Sequence, residues 1–378
     1  MGNMEWEEQK AYAYWLARVP GLGNGTKKRL EEYAGSARLV YEMRRRDLKE
    51  ILTEAKIERL MKAKEKEGIW ERYEELKRRG IGFYSICQPG YPEKLKNIRD
   101  APYAVYAEGR LPEDTRPAVA VIGARQCSEY GRFMAERCGR ELALEGVNVI
   151  SGMARGIDGI SQWAALKAGG TSYGVLGCGT NICYPPENHQ LYEALKSRGG
   201  ILSELPPDTA PRPEFFPMRN RLISGLADLV LIIEARNKSG TLITADLALE
   251  QGKEVYVVPG RVTDPLSQGC NRLLGQGAGL MGSIRAMLEE TGLSARAAGA
   301  DDREEDAGRR PYGSDGEEER VLHVLDFCPK SLENIQRETG MEYGRMMFVL
   351  MKLCLDGKAE QVSAGQFVMK TEDGCRYE

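Results

Sequence analysis

Up to about Arg79 apolar residues recur at helical spacing. Tyr12-Ala-Tyr-Trp-Leu-Ala-Arg18 opens the pattern. Leu39, Met43, Leu48, Ile51 and Leu52 continue it, and Ile69, Tyr73 and Leu76 close it. From Ile81 the pattern changes. Short runs rich in β-branched residues alternate with amphipathic stretches, which predicts an α/β region. The expected strands are 82–87, 103–107, 118–122, 147–151, 171–176, 200–203, 228–233 and 254–258. The expected helices are 130–144, 157–168, 187–197, 219–226 and 241–251. Leu229-Val-Leu-Ile-Ile233 is apolar at every position, which means burial on both faces. That favours a mostly parallel sheet with helices on both sides.

Periodicity then stops. From Ser294 to about Glu318 the chain is rich in Ala, Gly, Asp, Glu and Arg, the composition of a flexible linker. A small unit follows it. Glu319–Leu325, Ser331–Thr339 and Tyr343–Leu353 read as three helices, with Ser331 and Asn334 in the cap region and Gly340 as the stop. Gln361-Val-Ser and Gln366-Phe-Val-Met369 read as a hairpin. Three helices and a hairpin predict a winged helix-turn-helix. The expected organisation is a helical domain over 1–80, an α/β core over 81–291, a linker over 292–318 and the winged helix over 319–378.

Length supports several domains: 378 residues exceed one ordinary domain. The formal net charge of -3 excludes an all-over basic protein but not a localised basic site. The 9 Cys are scattered without a Cys-x-x-Cys pair, so reduced thiols are expected rather than a zinc site or a disulfide framework. The acidic start, Met1-Gly2-Asn3-Met4-Glu5-Trp6-Glu7-Glu8, has no apolar run of a signal peptide. No stretch has the length and apolarity of a membrane span, and the expected location is the cytoplasm.

The loops that follow the strands carry the candidate chemistry. Gly123-Ala124-Arg125 leaves the strand 118–122 ahead of a helix. Its glycine permits a sharp turn, and Arg125 stands where a guanidinium grips a phosphate bidentately. Taken alone, a plain strand-end turn with a surface charge fits equally. Ser151-Gly152-Met153-Ala154-Arg155-Gly156 repeats the arrangement, with two glycines, a hydroxyl and an Arg, as a phosphate cradle needs. Asp158 suits a helix cap or a partner that orients Arg155. Gly177-Cys178-Gly179-Thr180 and Lys238-Ser239-Gly240-Thr241 follow two more strands. In a doubly wound sheet all four loops converge on the carboxyl edge of the strands, a much more specific signal than any one loop. Phe215-Phe216-Pro217-Met218-Arg219-Asn220-Arg221 adds two Arg, an Asn and aromatic rings at a helix start, suited to a sugar–phosphate chain with bases stacked nearby; at least one Phe is expected in the core. Val19-Pro20-Gly21-Leu22-Gly23-Asn24-Gly25 has the form of a helix-hairpin-helix turn. Phosphate contact through its backbone and simple helix packing fit it equally.

Other chemistries lack their residues. Gly252-Lys253 is preceded five positions back by Leu247, so no Walker A motif is present, and Gly177-Cys-Gly179-Thr-Asn-Ile182 lacks the third glycine of a dinucleotide fingerprint. With only 2 His, His189 and His323, His-based triads and His metal sites are nearly excluded. No acid/base pair is evident, and no cofactor is expected.

The ordered set of motifs resembles the DNA-processing protein A (DprA/Smf) family. It comprises Val121-Ile-Gly-Ala-Arg125, Ser151-Gly-Met-Ala-Arg-Gly-Ile-Asp158, Val175-Leu-Gly-Cys-Gly179 with Tyr184-Pro185 and Asn188, and Gly200-Ile-Leu-Ser-Glu204. Arg219-Asn-Arg221 with Ile223-Ser-Gly225, Glu234-Ala235 with Ser239-Gly-Thr241 and Thr244-Ala245, Pro259-Gly260, and Gly269-Cys-Asn271 with Gly277-Ala278 complete it. The match runs in order from about Gly82 to Leu280. The resemblance implies a Rossmann-like core, an N-terminal helix-hairpin-helix or SAM-like domain and a C-terminal winged helix. It implies a non-catalytic protein that binds single-stranded DNA in a basic pocket, dimerises through the core and helps load the RecA recombinase during natural transformation. The implied binding residues are Gly123, Arg125, Ser151, Gly152, Arg155, Gly156, Arg219, Asn220, Arg221, Ser239, Gly240 and Thr241.

Two positions depart from the family pattern. Ala124 stands where Ser or Thr is usual, which removes a hydroxyl donor. Gln162 stands where His is usual, and Gln does not titrate. On the expected recognition helix of the winged helix, Arg345 and Lys352 are few cations for duplex binding, so a partner-binding or structural role fits it at least as well.

Two other functions compete. A phosphoribohydrolase acting on nucleoside monophosphates uses a similar fold and a Gly-Gly-x-Gly-Thr loop followed closely by a catalytic Glu. Here Ser239-Gly-Thr-Leu-Ile-Thr244 is followed by no Glu until Glu250, which counts against it. A nucleotide-sensing module with the winged helix as effector would bind a free mononucleotide tightly and an oligonucleotide poorly.

Overall fold

Nine short strands form one sheet, and their order explains where the loops meet. They are β1 (Gly82–Ser85), β2 (Ala104–Gly109), β3 (Ala118–Ile122), β4 (Asn148–Ser151), β5 (Ser172–Val175), β6 (Gly200–Ser203), β7 (Leu229–Ile232), β8 (Glu254–Val257) and β9 (Gly279–Leu280). The computed structural model describes residues 2–64, 68–294, 316–327 and 329–370. The order across the sheet is β1-β2-β6-β5-β4-β3-β7-β8-β9. From β6 to β9 all neighbours are parallel, while β1 and β2 pair antiparallel at one edge. Every residue of β3 through β7 is buried, as apolar runs covered on both faces require. The chain steps outward from β3 to β6 and then returns to lay β7 on the other side of β3. The reversal between β3 and β7 is the topological switch point.

The residues divide into two compact units, Met1–Gln126 with Ala135–Ala295, and Cys127–Met134 with Arg296–Glu378. In the first, the helical segment up to Arg78 is not a separate core. Trp15, Leu30, Leu60 and Tyr73 belong to one continuous apolar cluster with Phe83, Tyr106, Ala120 and Ile150 of the sheet region. Asn24, in the Gly-rich turn, donates to Glu204 at 2.8 Å and accepts from the Tyr103 backbone N–H at 3.2 Å.

The second unit contains helices Glu317–Val324, Leu332–Thr339 and Tyr343–Leu355, with the strands β10 (Lys330–Ser331), β11 (Ala359–Ser363) and β12 (Gln366–Met369). Their sheet order is β10-β12-β11. Val321, Ile335, Met346, Leu350, Leu353 and Phe367 form its core. This is the three helices and hairpin expected of a winged helix. Ser331 caps the second helix and Gly340, at φ 65°, ends it. Most of the expected linker lies outside the described residues, and Glu317 and Glu318 at its end already belong to a helix.

Sequence and structure differ at a few elements. The helix expected from Arg219 starts at Phe215. Pro217 in its first turn is compatible with a helix, because N–H groups there have no intrahelical acceptor to lose. The two-residue strand β9 and the short helices Gln268–Gly275 and Ile284–Glu290 were not anticipated. Each is too brief for a periodic signal.

Candidate nucleic-acid interface

Because β3, β4, β5 and β7 are parallel, the four glycine loops leave the sheet at the same edge. Three of them touch. The Ile157 N–H donates to the Ala124 carbonyl at 3.2 Å, and the Thr241 hydroxyl donates to the Gly123 carbonyl at 3.3 Å. A side chain at Gly156, which has φ 72°, would run into the Ala124 and Arg125 carbonyl oxygens; one at Gly123 would lie 2.7 Å from Ile157. These glycines serve close loop-to-loop packing. Ala124, lacking the usual hydroxyl, still contributes its carbonyl to that contact.

Beneath the loops lies Arg219, only 7% exposed. Its guanidinium donates to the Gly152 carbonyl at 2.8 Å and to the Val175 carbonyl, so it clamps the ends of β4 and β5 together. Burial depresses its pKa to about 10, opposed by the charge of Asp158, so it remains a cation at neutral pH. Asp158 is itself buried, which raises its pKa; the Arg219 charge and hydrogen bonds from the Gly152 and Gly123 backbone N–H groups act against that rise. Asp158 accepts from the Gly152 N–H at 3.1 Å. It therefore serves the Gly152 turn and Arg219 rather than Arg155. Ser151 points its hydroxyl at the Val121 carbonyl, 2.6 Å away.

Arg221, two residues on, turns into a different partner. Its Nη2 meets both oxygens of Glu204, at 2.9 and 2.8 Å. Glu204 also accepts from Asn24. Thus Arg219 and Arg221 are both engaged inside the protein, while Asn220 between them is half-buried.

The exposed chemistry lies around them. Arg125 is exposed, with its guanidinium carbon 5.7 Å from the centre of the Phe216 ring. Phe216 in turn lies 5.4 Å from Tyr184, the two rings tilted by 32°. A side chain at Gly177 would press on Phe216 at 3.0 Å, so this aromatic pair sits on the loop after β5. Phe215 and Phe216 are both half-buried, so neither is the fully buried core residue expected of one of them. Arg155 is exposed and pairs with Glu187. Ser239 precedes the helix Gly240–Glu250, and its buried hydroxyl has no hydrogen-bond partner among the described residues. The hydroxyl of Thr180, fully buried in the loop after β5, is likewise unpartnered. The Ser239 hydroxyl stands at a helix start, where backbone N–H groups without intrahelical acceptors favour an anion.

The second departure has a structural account. Gln162 accepts from the Met153 N–H at 3.1 Å and donates to the Ser172 hydroxyl at 3.2 Å and the Tyr173 carbonyl at 3.0 Å. It thereby holds Met153 at φ 54°, a left-handed conformation inside the loop after β4. A neutral imidazole has one donor and cannot make all three contacts. The partners Glu187 and Glu204 were not assigned from sequence, since they lie 32 and 17 residues from the arginines they meet. Tyr184 had appeared only as part of the family motif.

Fold and site define a doubly wound, Rossmann-like α/β protein with an appended winged helix. Residues 82–292 match the family model of DNA recombination-mediator protein A, and residues 305–365 match that of the DprA winged helix domain. DNA processing protein DprA of Bacillus subtilis is 40% identical over 212 residues, spanning 56% of this chain and 71% of that protein. The X-ray structure of DNA processing protein A from Streptococcus pneumoniae superposes with a TM-score of 0.66 at 32% identity, covering 74% of this chain and 97% of that one. The DNA processing protein A of Helicobacter pylori, whose structure concerns its single-stranded DNA binding mode, gives a TM-score of 0.50 at 31% identity over 56% of this chain and 94% of that one. The chain belongs to the DNA recombination-mediator protein A (DprA/Smf) family.

Proposed function

We propose that the chain binds single-stranded DNA at the carboxyl edge of its sheet and delivers it to the RecA recombinase, without catalysing a reaction. The observation that carries this reading is the exposed Arg125 beside the Phe216–Tyr184 ring pair at the switch point of the sheet. A cation next to an open aromatic platform suits a phosphate with its base stacked alongside. A duplex base is already stacked on both faces, so the platform favours a single strand.

The contact set is Gly123, Arg125, Arg155, Gly156, Asn220, Ser239, Gly240 and Thr241, with the buried Ser151, Gly152, Arg219 and Arg221 bracing from beneath. Residues 81–291 supply this core, and residues 319–378 a partner-binding or structural module. Delivery to RecA draws support from the family's description as a recombination mediator. Ile243, Leu249, Val262 and Leu280 are exposed apolar residues of the core and suit burial in a homodimer. We assign the protein to the cytoplasm. Among the described residues no helix is long and apolar enough to cross a membrane.

The enzyme alternative fares worse. Glu250 ends the helix that begins at Gly240, about 15 Å from the loop edge at 1.5 Å per residue. The test is a competition. Fluorescent oligo(dT) should be displaced by unlabelled single strand and not by equal duplex, and nucleoside monophosphates should release no free base. Tight mononucleotide binding or base release would reverse the reading. RecA filament growth on the same strand, with and without the protein, tests the delivery step.

A further inference from the structure

The glycine turn of the helical segment is bordered by cations that the core site does not use. Gly21 has φ 72°, and Arg59 donates to its carbonyl at 3.3 Å. One helical turn before Arg59, Lys56 reaches the Thr26 hydroxyl at 3.3 Å. On the other side of the turn, Arg18 and Arg72 line a cleft of about 110 Å³ together with Trp15 and Pro20. Arg18, Arg59 and Arg72 are exposed and Lys56 is half-buried. Other exposed arginines of this segment are matched, Arg38 by Glu8 and Glu42 and Arg45 by Glu54 and Glu58, while Arg29 and Arg44 form no ion pair among the described residues. Among the described residues, none of the four cations around the turn forms an ion pair. Gly23 and Gly25 have open space beside them.

This strip lies one loop away from the proposed core site. Arg79, at the end of the helix Ile69–Arg78, grips Asp208 with two hydrogen bonds of 2.8 Å. Asp208 also bonds Asn181 at 2.9 Å, next to the glycine loop after β5. The charge of Arg18 reaches Asp208 as well. A strand leaving the core loops over residues 205–212 passes Arg79 and comes toward Arg18.

We propose that the helical segment is a second, sequence-independent contact for the same single strand, in which Arg18, Lys56, Arg59 and Arg72 take its phosphates. The proposal rests on the core reading but is tested apart from it. The full-length chain is titrated with a short oligo(dT) that fills only the core, about 6 nucleotides, and with one of about 30 nucleotides. Arg18→Ala, Arg59→Ala and Arg72→Ala together should leave the short oligomer's affinity unchanged. The long oligomer should bind on the order of 10- to 100-fold more weakly at about 0.1 M salt, with the salt slope reduced by about 2. Arg38→Ala with Arg45→Ala, which removes acid-paired cations, should change neither.

Unchanged long-strand affinity in the triple variant, or an equal loss in the paired-cation control, overturns the proposal. If the triple variant melts early, Arg18→Gln with Arg72→Gln reads the same loss from two exposed side chains. Failure of the core reading looks different: Arg125→Ala would then leave short-oligomer binding intact.

Discussion

The carboxyl edge of the sheet and the third helix of the winged helix both carry arginine or lysine, and they use the charge differently. At the sheet edge, Arg219 and Arg221 go inward to hold loops and carboxylates, which leaves Arg125 exposed against an aromatic ring. On the helix Tyr343–Leu355, Arg345 and Lys352 stay at the surface but are matched by Glu317 and Glu318 of the first helix. What remains bare there is apolar: Phe348 is 61%, Met351 55% and Leu355 89% exposed. Charge that is already paired releases fewer counterions on meeting a phosphate. On the proposed reading the sheet edge takes nucleic acid, and the apolar face of the helix suits a protein surface. A count of positive residues does not separate the two; among the described residues Arg125 forms no ion pair, whereas Arg345 and Lys352, like Arg155 and Arg221, each meet a carboxylate.

The largest effect should come from breaking the inward-facing cations. Arg219→Ala removes two bonds to backbone carbonyls and leaves Asp158 buried without its counter-charge. Chemical denaturation should report a loss of about 3–5 kcal/mol. A loss under about 1 kcal/mol, as for an exposed pair, would mean that Arg219 is not the brace described. Arg125→Ala, by contrast, should leave unfolding unchanged and weaken single-strand binding by on the order of 10-fold at low salt.

A smaller effect, of opposite sign, should follow from Glu187→Gln. That change frees Arg155 and should tighten binding about fivefold, the worth of one added phosphate contact near 0.1 M salt. Its pH dependence has a definite direction. The Glu187 backbone N–H and then Arg155 hold this carboxyl below its usual range. The pair is therefore complete above the ordinary glutamate value of about 4.3 and is lost only as pH falls below it. Wild-type affinity should accordingly show no contribution from Glu187 titration between about pH 5 and pH 8. Least of all should change in the winged helix. Arg345→Ala with Lys352→Ala should leave single-strand affinity and its salt slope at wild-type values. A reduced slope would return the helix to the nucleic-acid interface.

Most of the fold could be read from the sequence because the central strands are apolar at every position and the loops after them carry glycine. β3 and β6 fall where the pattern predicted, and β4, β5, β7 and β8 lie within one residue of it at each end. The convergence of the four loops followed from parallel pairing alone. The fate of the arginines was not legible. Arg219 and Arg221 stand two apart on a helix, so they point to nearly opposite sides, and each finds an acid distant in sequence. Nothing near them marks Asp158 or Glu204 as those partners. The merging of the helical segment with the sheet core was hidden for the same reason, since a shared core is a long-range property. Gln162 stood out in the sequence only as a departure from the family pattern, and its three contacts became visible only once Met153 was seen in a left-handed turn.

The central claim is that the loops at the switch point, through Arg125, hold single-stranded DNA. Its most direct test is fluorescence anisotropy of oligo(dT) with the wild-type chain and with Arg125→Ala at two salt concentrations. Wild-type binding should be salt-sensitive, with weaker affinity and a shallower salt slope in the variant at unchanged melting temperature. Equal binding by both proteins at both salt concentrations would contradict it.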